Sequence, residues 1–240
     1  MIASDHQIFM LAEIAIEEYP KECIAAFKKS GGIQKLDNVA TNPEVEFSVS
    51  SERWLDIEKD VSVLVHSHPN GPSWPSEADM RTQMALDVPF GIIEVTEQGA
   101  GGYFEFGGQT PDLEDRPFRH GVTDCFSLIR DYHLIKNGIK IPEYPRSWEW
   151  WQNGQNLYLE GFGSVGFVKV ADEDIAPGDM VMFNIGGKVC HAGVYLGEGL
   201  IGHHLGASKG YDPTRKPMID SIDRWQKRIV GVYRHKELLK

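Results

Sequence analysis

Two histidines, His66 and His68, stand one residue apart at the end of an apolar run, in the segment VLVHSHP over 63–69. Strand side chains alternate between the two faces of a sheet, so both imidazoles are predicted to share one face while Ser67 points to the other. Asp79 follows at the start of a predicted helix. Two imidazoles and a carboxylate supply three of the four ligands of tetrahedral zinc and leave the fourth position to water. A metal-bound water of near-neutral pKa is a nucleophile for a carbonyl carbon.

Such a site also needs a carboxylate that takes the proton of the water and passes it to the leaving nitrogen. Glu22, at the start of the first predicted buried strand, is a candidate for this base. Ser76 opens the tetrapeptide Ser-Glu-Ala-Asp, which is also the pattern of an N-terminal capping box with Asp79 at its third position. A capped helix after a strand with two surface histidines is therefore an alternative interpretation, because His-x-His alone is a short match.

A second group of residues suggests nucleophilic catalysis by a thiol. Cys125 lies in the first turn of a predicted helix that Thr123 or Asp124 would cap. The unpaired N–H groups and the dipole at a helix start favour a thiolate. A nucleophilic cysteine needs a base and the base needs an orienting partner. His191 and His203, on either side of a glycine-rich turn, are predicted to lie side by side on neighbouring antiparallel strands. The alternative is a cysteine that only fills the core.

Two separate sets of elements must position these groups. The first half is predicted to hold helices over 5–18 and 76–87 and strands over 23–27, 45–50, 61–68, 90–96 and 102–107. The second half is predicted to hold a helix over 124–136 and strands over 179–185, 189–197, 199–206 and 228–234. The polar, turn-rich stretch between them has no apolar period. The predicted fold is therefore α+β in two domains, 1–107 and 117–240, with a linker over 108–116.

Charge supports the division into two units. The 240 residues carry a net charge of −11, and residues 1–110 hold 18 of the 35 acidic residues but only 7 of the 24 Lys and Arg. Residues 111–240 hold 17 of each and are neutral. A step of this kind indicates two different surfaces. No basic stripe is present, so nucleic acid is not a predicted partner.

Targeting signals and disulfides are also not predicted. The N-terminus lacks the basic start and apolar core of a signal peptide, so export by that route is not expected. No apolar run approaches the roughly 18 residues of a membrane span, so membrane insertion is not expected either. The three cysteines cannot all pair within one chain, and a reducing compartment argues against a disulfide framework. Cys23 and Cys190 are interpreted as core residues.

The first group of residues resembles the signature of the JAMM (MPN-domain) metallopeptidases. That signature reads His-x-His, seven residues, Ser, two residues, Asp. His66-Ser-His68 is followed here by seven residues and by Ser76-x-x-Asp79. The upstream glutamate of the family follows a proline by two positions, as Glu22 follows Pro20. The resemblance covers about 1–107 and implies an MPN, cytidine-deaminase-like mixed sheet with helices. The roles it implies are one Zn²⁺ held by His66, His68 and Asp79, Glu22 as general base, and Ser76 stabilising the oxyanion.

The second group resembles the NlpC-type cysteine peptidases. Gly-Val-Thr-Asp-Cys-Phe-Ser over 121–127 is similar to the helix start of that family, and His-Ala-Gly-Val-Tyr-Leu-Gly over 191–197 is similar to its histidine strand. Phe126-Ser127 replaces the Ser-Gly of the family, and Phe118 stands where a tyrosine is often found. The resemblance covers 112–240 and implies a papain-like fold that cleaves murein stem peptides. The implied catalytic residues are Cys125, His191 and His203.

The two domains in one chain of this size resemble a family of tail assembly proteins of lambda-like phages. The resemblance implies a protein made in the host cytoplasm and placed at the virion tail tip, with murein stem peptides and other tail-tip proteins as partners. An assembly factor in which one or both sites are silent is the alternative. A cellular isopeptidase for ubiquitin-type conjugates is a third hypothesis, which rests on the first domain only.

Overall fold

The computed structural model describes residues 1–206 and 209–239 and divides the chain into two compact units, Met1–Gln109 and Thr110–Lys240. Helices and strands occur in both units, so the α+β class predicted from the sequence is confirmed. None of the helices among the described residues is both long and apolar enough to cross a membrane.

The first unit is a five-stranded sheet with three helices. Its elements are α1 (Asp5–Glu18), β1 (Ile24–Lys28), β2 (Ile33–Leu36), α2 (Ser51–Ile57), β3 (Val61–Pro69), α3 (Glu77–Leu86), β4 (Phe90–Thr96) and β5 (Gly99–Phe106). The strand order is β2-β1-β3-β4-β5, in which only the β3–β4 pair is parallel. The helix α3 makes the crossover that a parallel pair requires.

The burial of the central strand β3 accounts for the apolar run in its sequence. It pairs with β1 on one side and β4 on the other, and all but two of its residues are buried. A strand covered on both faces reads as a continuous apolar run rather than an alternating one. On one face, Val63 and Val65 pack with Leu11 and Ala15 of α1. The carboxyl end of β3 and the start of α3 therefore meet at one edge of the unit, where the predicted metal ligands lie.

The prediction of a strand over residues 45–50 of this unit is wrong. Residues 45–50 form a turn and an irregular segment, although their apolar residues alternate. The side chain of Asn38, rather than the backbone of a neighbouring strand, hydrogen-bonds to this segment. Its Nδ2 donates to Glu46 O at 3.1 Å, and its Oδ1 accepts from Ser48 N at 3.1 Å. Val45 is 69% exposed, so only one side of the segment is packed.

The second unit is a six-stranded antiparallel sheet with one long helix. Its elements are β6 (Phe118–Arg119), α4 (Cys125–Asn137), α5 (Leu157–Gly161), β7 (Phe167–Val170), β8 (Met180–Ile185), β9 (Lys188–Gly197), β10 (Leu200–His203), β11 (Tyr211–Asp212), β12 (Met218–Ser221) and β13 (Ile229–His235). The order in the large sheet is β12-β10-β9-β8-β13-β7, and β11 pairs separately with β6. The predicted helix and the four predicted strands are all present, whereas β6, β7, β11, β12 and α5 were not predicted.

The two faces of the large sheet carry different cores. Phe126 and Ile129 of α4 pack on Met182 and Ala192. Val181, Phe183, Ile201 and Trp225 pack together in a second cluster. Because strand residues alternate, His191 of β9 lies on the face of Phe183, while its neighbour Ala192 lies on the face of α4.

Candidate functional site

The first candidate site joins His66, His68 and Asp79, all of which are buried. His66 Nε2 lies 3.2 Å from His68 Nε2, and both nitrogens lie 3.4 Å from an oxygen of Asp79. Tetrahedral zinc with bonds of about 2.0–2.1 Å separates its ligand atoms by about 3.3 Å. Asp79 Oδ1 faces His66 and Asp79 Oδ2 faces His68, so each imidazole lies at this spacing from one carboxylate oxygen. The three residues have the donor chemistry of a zinc site.

Neighbouring groups orient His68 and Asp79. His68 Nδ1 donates to the carbonyl of Pro72 at 2.8 Å, which directs its Nε2 at the other donors. Asp79 Oδ2 accepts from Ser76 N at 2.7 Å, and Ser76 Oγ accepts from Asp79 N at 3.1 Å. The predicted capping box is therefore present, and the same box aims the Asp79 carboxylate. Ser67 points to the other face, where its Oγ accepts from Cys23 N at 2.8 Å.

The charges of the site suit a cation. Burial lowers the pKa of His66. Burial acts against the charged form of Asp79 too, but His66 and His68 hold the pKa of its carboxyl well below the usual range. Asp79 in turn raises the pKa of His68 against the effect of burial. An ionised carboxylate beside two imidazoles, all three buried, is a donor set that a divalent cation completes.

Glu22, His68, Ser76 and Asp79 line one cavity. Its volume is about 300 Å³. Burial raises the pKa of Glu22 to about 7, with Asp79 adding to the rise and His68 opposing it. A carboxylate of that pKa can both accept and release a proton near neutrality. Phe47 covers the site from one side, with its ring 4.4 Å from the ring of His66.

The second candidate site contains Cys125 at the first position of α4. Asp124 is the N-cap, and its carboxylate accepts from Ser127 N at 3.0 Å and from Gly121 N at 2.9 Å. The guanidinium of Arg146 pairs with the same carboxylate at 2.8 Å in the interior. This network fixes the start of the helix and therefore the position of the Cys125 side chain.

The thiol is protonated in this arrangement. Burial raises the pKa of Cys125 to about 12 and Asp124 adds to the rise, although the Tyr158 hydroxyl and Arg146 act in the opposite direction. The sequence predicted that the helix start would favour a thiolate, and burial outweighs that effect here. Cys125 Sγ lies 2.8 Å from the hydroxyl oxygen of Tyr158.

The two predicted histidines are paired with each other. His191 Nε2 lies 2.9 Å from His203 Nδ1, as expected for side chains on adjacent antiparallel strands. Burial lowers the pKa of His191 to about 3, and it also lowers the pKa of His203, so both rings are neutral near pH 7. His203 Nε2 continues the chain to Asp220 Oδ2 at 3.3 Å.

Cys125 and His191 line one cavity of about 250 Å³. Among the described residues, the thiol has hydrogen bonds to the hydroxyl of Tyr158 and to the backbone of Ala192, and none joins it to His191. The sequence predicted a base within hydrogen-bonding reach of the thiol. Cys125 and His191 do line the same cavity, but no hydrogen bond joins them. Catalytic hydrogen bonds of peptidases are often long without substrate and tighten when it binds.

Phe, Trp and Tyr side chains form much of the cavity wall, among them Phe118, Trp148, Trp150, Trp151 and Tyr158. Phe118 offers no hydroxyl, and the hydroxyl beside the thiol comes instead from Tyr158. Cys190, which the sequence placed in the core, also lines this cavity. His204, the neighbour of His203 in the chain, is buried, and its Nε2 lies 3.2 Å from Arg215 O.

Sequence reasoning missed Tyr158, Arg146 and Asp220, all of which contact residues of this site. Tyr158 belongs to a helix of only five residues in a stretch without apolar periodicity. Asp220 lies on β12, whose pairing with β10 joins residues about twenty positions apart. The tetrapeptide Met-Ile-Asp-Ser of β12 gives no clear strand pattern.

Residues 101–234 match the NlpC/P60 family. Tail tip assembly protein K of Escherichia phage lambda is 38% identical over 193 residues, which cover 78% of this chain and 89% of the relative. Tail tip assembly protein K of Escherichia phage N15 is 30% identical over 232 residues, which cover 93% of this chain and 92% of the relative.

Solved structures of low sequence identity are also similar. The NlpC/p60 domain of peptidoglycan hydrolase SagA is 17% identical and covers 47% of this chain and 75% of that chain, with a TM-score of 0.29. An NlpC/P60 family protein from Bacillus cereus is 13% identical and covers 93% of this chain and 66% of that chain, with a TM-score of 0.33.

Proposed function

The chain belongs to the NlpC/P60 family and to the tail tip assembly protein K family of phages, and from that membership we propose a phage tail-tip protein with two peptidase sites. The second unit is proposed to be a cysteine endopeptidase that cleaves murein stem peptides during tail assembly or genome entry. The first unit is proposed to be a zinc peptidase or isopeptidase with an MPN-type fold.

The observation that carries the cysteine peptidase is the meeting of Cys125 and His191 at one cavity, with His203 hydrogen-bonded to His191. In the proposed reaction the thiol leaves Tyr158 and attacks the peptide carbonyl while His191 takes its proton. His191 then gives this proton to the leaving amine, and an acyl thioester forms on Cys125. Water hydrolyses the thioester, with His191 again as the base.

The observation that supports the zinc peptidase is the buried cluster of His66, His68 and Asp79, in which one ligand atom from each residue lies within 4.8 Å of the other two. Bound zinc would polarise a carbonyl and lower the pKa of a water molecule. Glu22 would accept a proton from that water and release it to the leaving nitrogen, for which a pKa of about 7 is well placed. The hydroxyl of Ser76 would donate to the developing oxyanion.

The proposal places the protein in the host cytoplasm during assembly and at the virion tail tip afterwards, with other tail-tip proteins as partners. A tail-assembly factor with one or both sites silent is the second candidate. The hydrogen bond between Cys125 and Tyr158 favours a silent second site, because it keeps the thiol occupied.

Mass spectrometry of purified murein stem peptides separates these functions. The peptides are incubated with wild type, Cys125→Ala and His68→Ala proteins. We expect cleavage by wild type and by His68→Ala, and none by Cys125→Ala. If wild type cleaves no stem peptide, hydrolysis of free murein peptides is wrong and the assembly role is favoured.

A further inference from the structure

His191, the predicted base, begins a chain of three hydrogen-bonded side chains that continues through His203 and ends at Asp220. His191 Nε2 meets His203 Nδ1 at 2.9 Å, and His203 Nε2 meets Asp220 Oδ2 at 3.3 Å. The sheet enforces this order. His203 lies opposite Met218 in the β10–β12 ladder, so Asp220, two residues further, shares its face at the diagonal position.

The carboxylate of Asp220 is itself held in place. Trp225 Nε1 donates to Asp220 Oδ2 at 3.2 Å, and Arg224 donates to Asp220 Oδ1 at 3.2 Å. The hydrogen bond from Trp225, followed by that from His203, lowers the pKa of Asp220. The ring of Trp225 also packs edge-on against His203, with 4.8 Å between the ring centroids. Asp220 is thus an ionised acceptor of fixed orientation.

An ionised carboxylate only accepts hydrogen bonds, and this fixes the proton positions along the chain. His203 must carry its proton on Nε2 to donate to Asp220, so its Nδ1 is an acceptor. His191 must then carry its proton on Nε2 to donate to His203, so its Nδ1 holds a lone pair. The tautomer of a neutral histidine follows from the bond made by its other nitrogen.

We propose that Asp220 is a positioning residue for the cysteine site, which acts through His203 to leave Nδ1 of His191 unprotonated as the base for the Cys125 thiol. This inference rests on the proposed cysteine peptidase and adds a fourth member to the predicted set of three. Burial, which keeps both rings neutral, supports it, because tautomers exist only in neutral imidazoles.

Proton positions can be measured without a substrate. Long-range ¹H–¹⁵N NMR of the full-length protein at neutral pH assigns the protonated nitrogen of each histidine. We expect His203 and His191 both to be protonated on Nε2 and bare on Nδ1. A proton on Nδ1 of His203 would overturn the inference. If the tautomers are as expected but stem peptides stay intact, the proposed function fails and the proton order stands.

Variants then test whether Asp220 imposes this order. Asp220→Ala removes the acceptor, so we expect mixed tautomers and, for cleavage of stem peptides, a fall in kcat of about ten- to a hundredfold, as for other carboxylates that orient histidines. Asp220→Asn can still accept from Trp225 and His203 through its amide oxygen, so we expect it to retain the wild-type tautomers.

Asp223→Ala is the matched control, since it removes the same charge from the same segment. If Asp220→Ala and Asp223→Ala show the same tautomers and the same kcat, Asp220 has no positioning role. If Asp220→Ala does not fold, the wild-type spectrum still decides the matter, because a proton on Nδ1 of His203 would overturn the inference.

Discussion

Asp79 serves two purposes with one carboxylate. One oxygen closes the capping box of α3, and the same carboxylate lies 3.4 Å from both imidazoles of the candidate metal centre. The alternative interpretation of this motif as a capped helix is therefore compatible with the metal site, since the cap is what aims the ligand. A local motif that orients a ligand is the kind of feature that a sequence can reveal.

Zinc content should depend on Asp79 and not on its neighbour Glu77. We expect about one zinc per chain in wild type and less than roughly a tenth of that in Asp79→Ala, because two imidazoles alone hold zinc weakly. Glu77→Gln is the control, because Glu77 lies on the same helix turn but pairs with Arg81. Inductively coupled plasma mass spectrometry measures the metal. Full zinc occupancy in Asp79→Ala would contradict the site.

Glu22 should make the metal-free protein less stable as the pH rises. Its folded pKa of about 7 lies above the ordinary value of 4.5, so the stability from the neutral carboxyl is fully present below 4.5 and is lost as the pH rises through 7. The amide of Glu22→Gln does not ionise, so this variant does not lose stability in this way as the pH rises. The difference in free energy of unfolding between Glu22→Gln and wild type should therefore rise by at most about 3 kcal/mol as the pH goes from 4.5 to about 7.

Urea unfolding of the metal-free proteins at several pH values measures this difference. Glu52→Gln, an exposed position on α2, is the control and should follow wild type. Curves for Glu22→Gln and wild type that stay parallel across this range would show that the carboxyl of Glu22 is not perturbed.

The helix α4 depends on a buried ion pair at its first turn. Asp124 caps the helix and pairs with Arg146, so Asp124→Ala removes the cap and takes the partner from a buried guanidinium. We expect a loss of about 3 kcal/mol in the free energy of unfolding, the low end for a broken buried pair, because Glu143 still binds Arg146 at 2.8 Å.

Asp124→Asn should lose less, because an amide oxygen still accepts from Ser127 N. Asp172→Ala, at an exposed turn, is the control and should change the urea midpoint little. Equal midpoints for Asp124→Ala and Asp172→Ala would show that the pair does not stabilise the helix.

Elements with strong local signals could be predicted from the sequence, and elements set by distant partners could not. The apolar run of β3 and the Ser76 cap predicted their elements to within a residue or two. Residues 45–50 alternate like a strand, but the Asn38 side chain takes their hydrogen bonds. The strand β12 becomes a strand only through its pairing with β10. Asp220 was therefore out of reach of sequence reasoning.

Across the whole molecule, the two candidate sites lie in different units, each with its own sheet and core. The NlpC/P60 match over residues 101–234 covers most of the second unit and only the end of the first, while the phage N15 relative covers 93% of the chain and so extends through both. The zinc proposal therefore depends on the residues of the first unit themselves. Chemistry at one site is expected to survive loss of the other.

The identity of the nucleophile is tested most directly by the intact mass of the protein. Wild type and Cys125→Ala are mixed with murein stem peptides, quenched in acid within the first turnover, and weighed by mass spectrometry. We expect a single acyl adduct on wild type that maps to Cys125, and no adduct on Cys125→Ala. An adduct on Cys190 instead, or cleaved peptides with Cys125→Ala, would contradict a thiol peptidase built on Cys125.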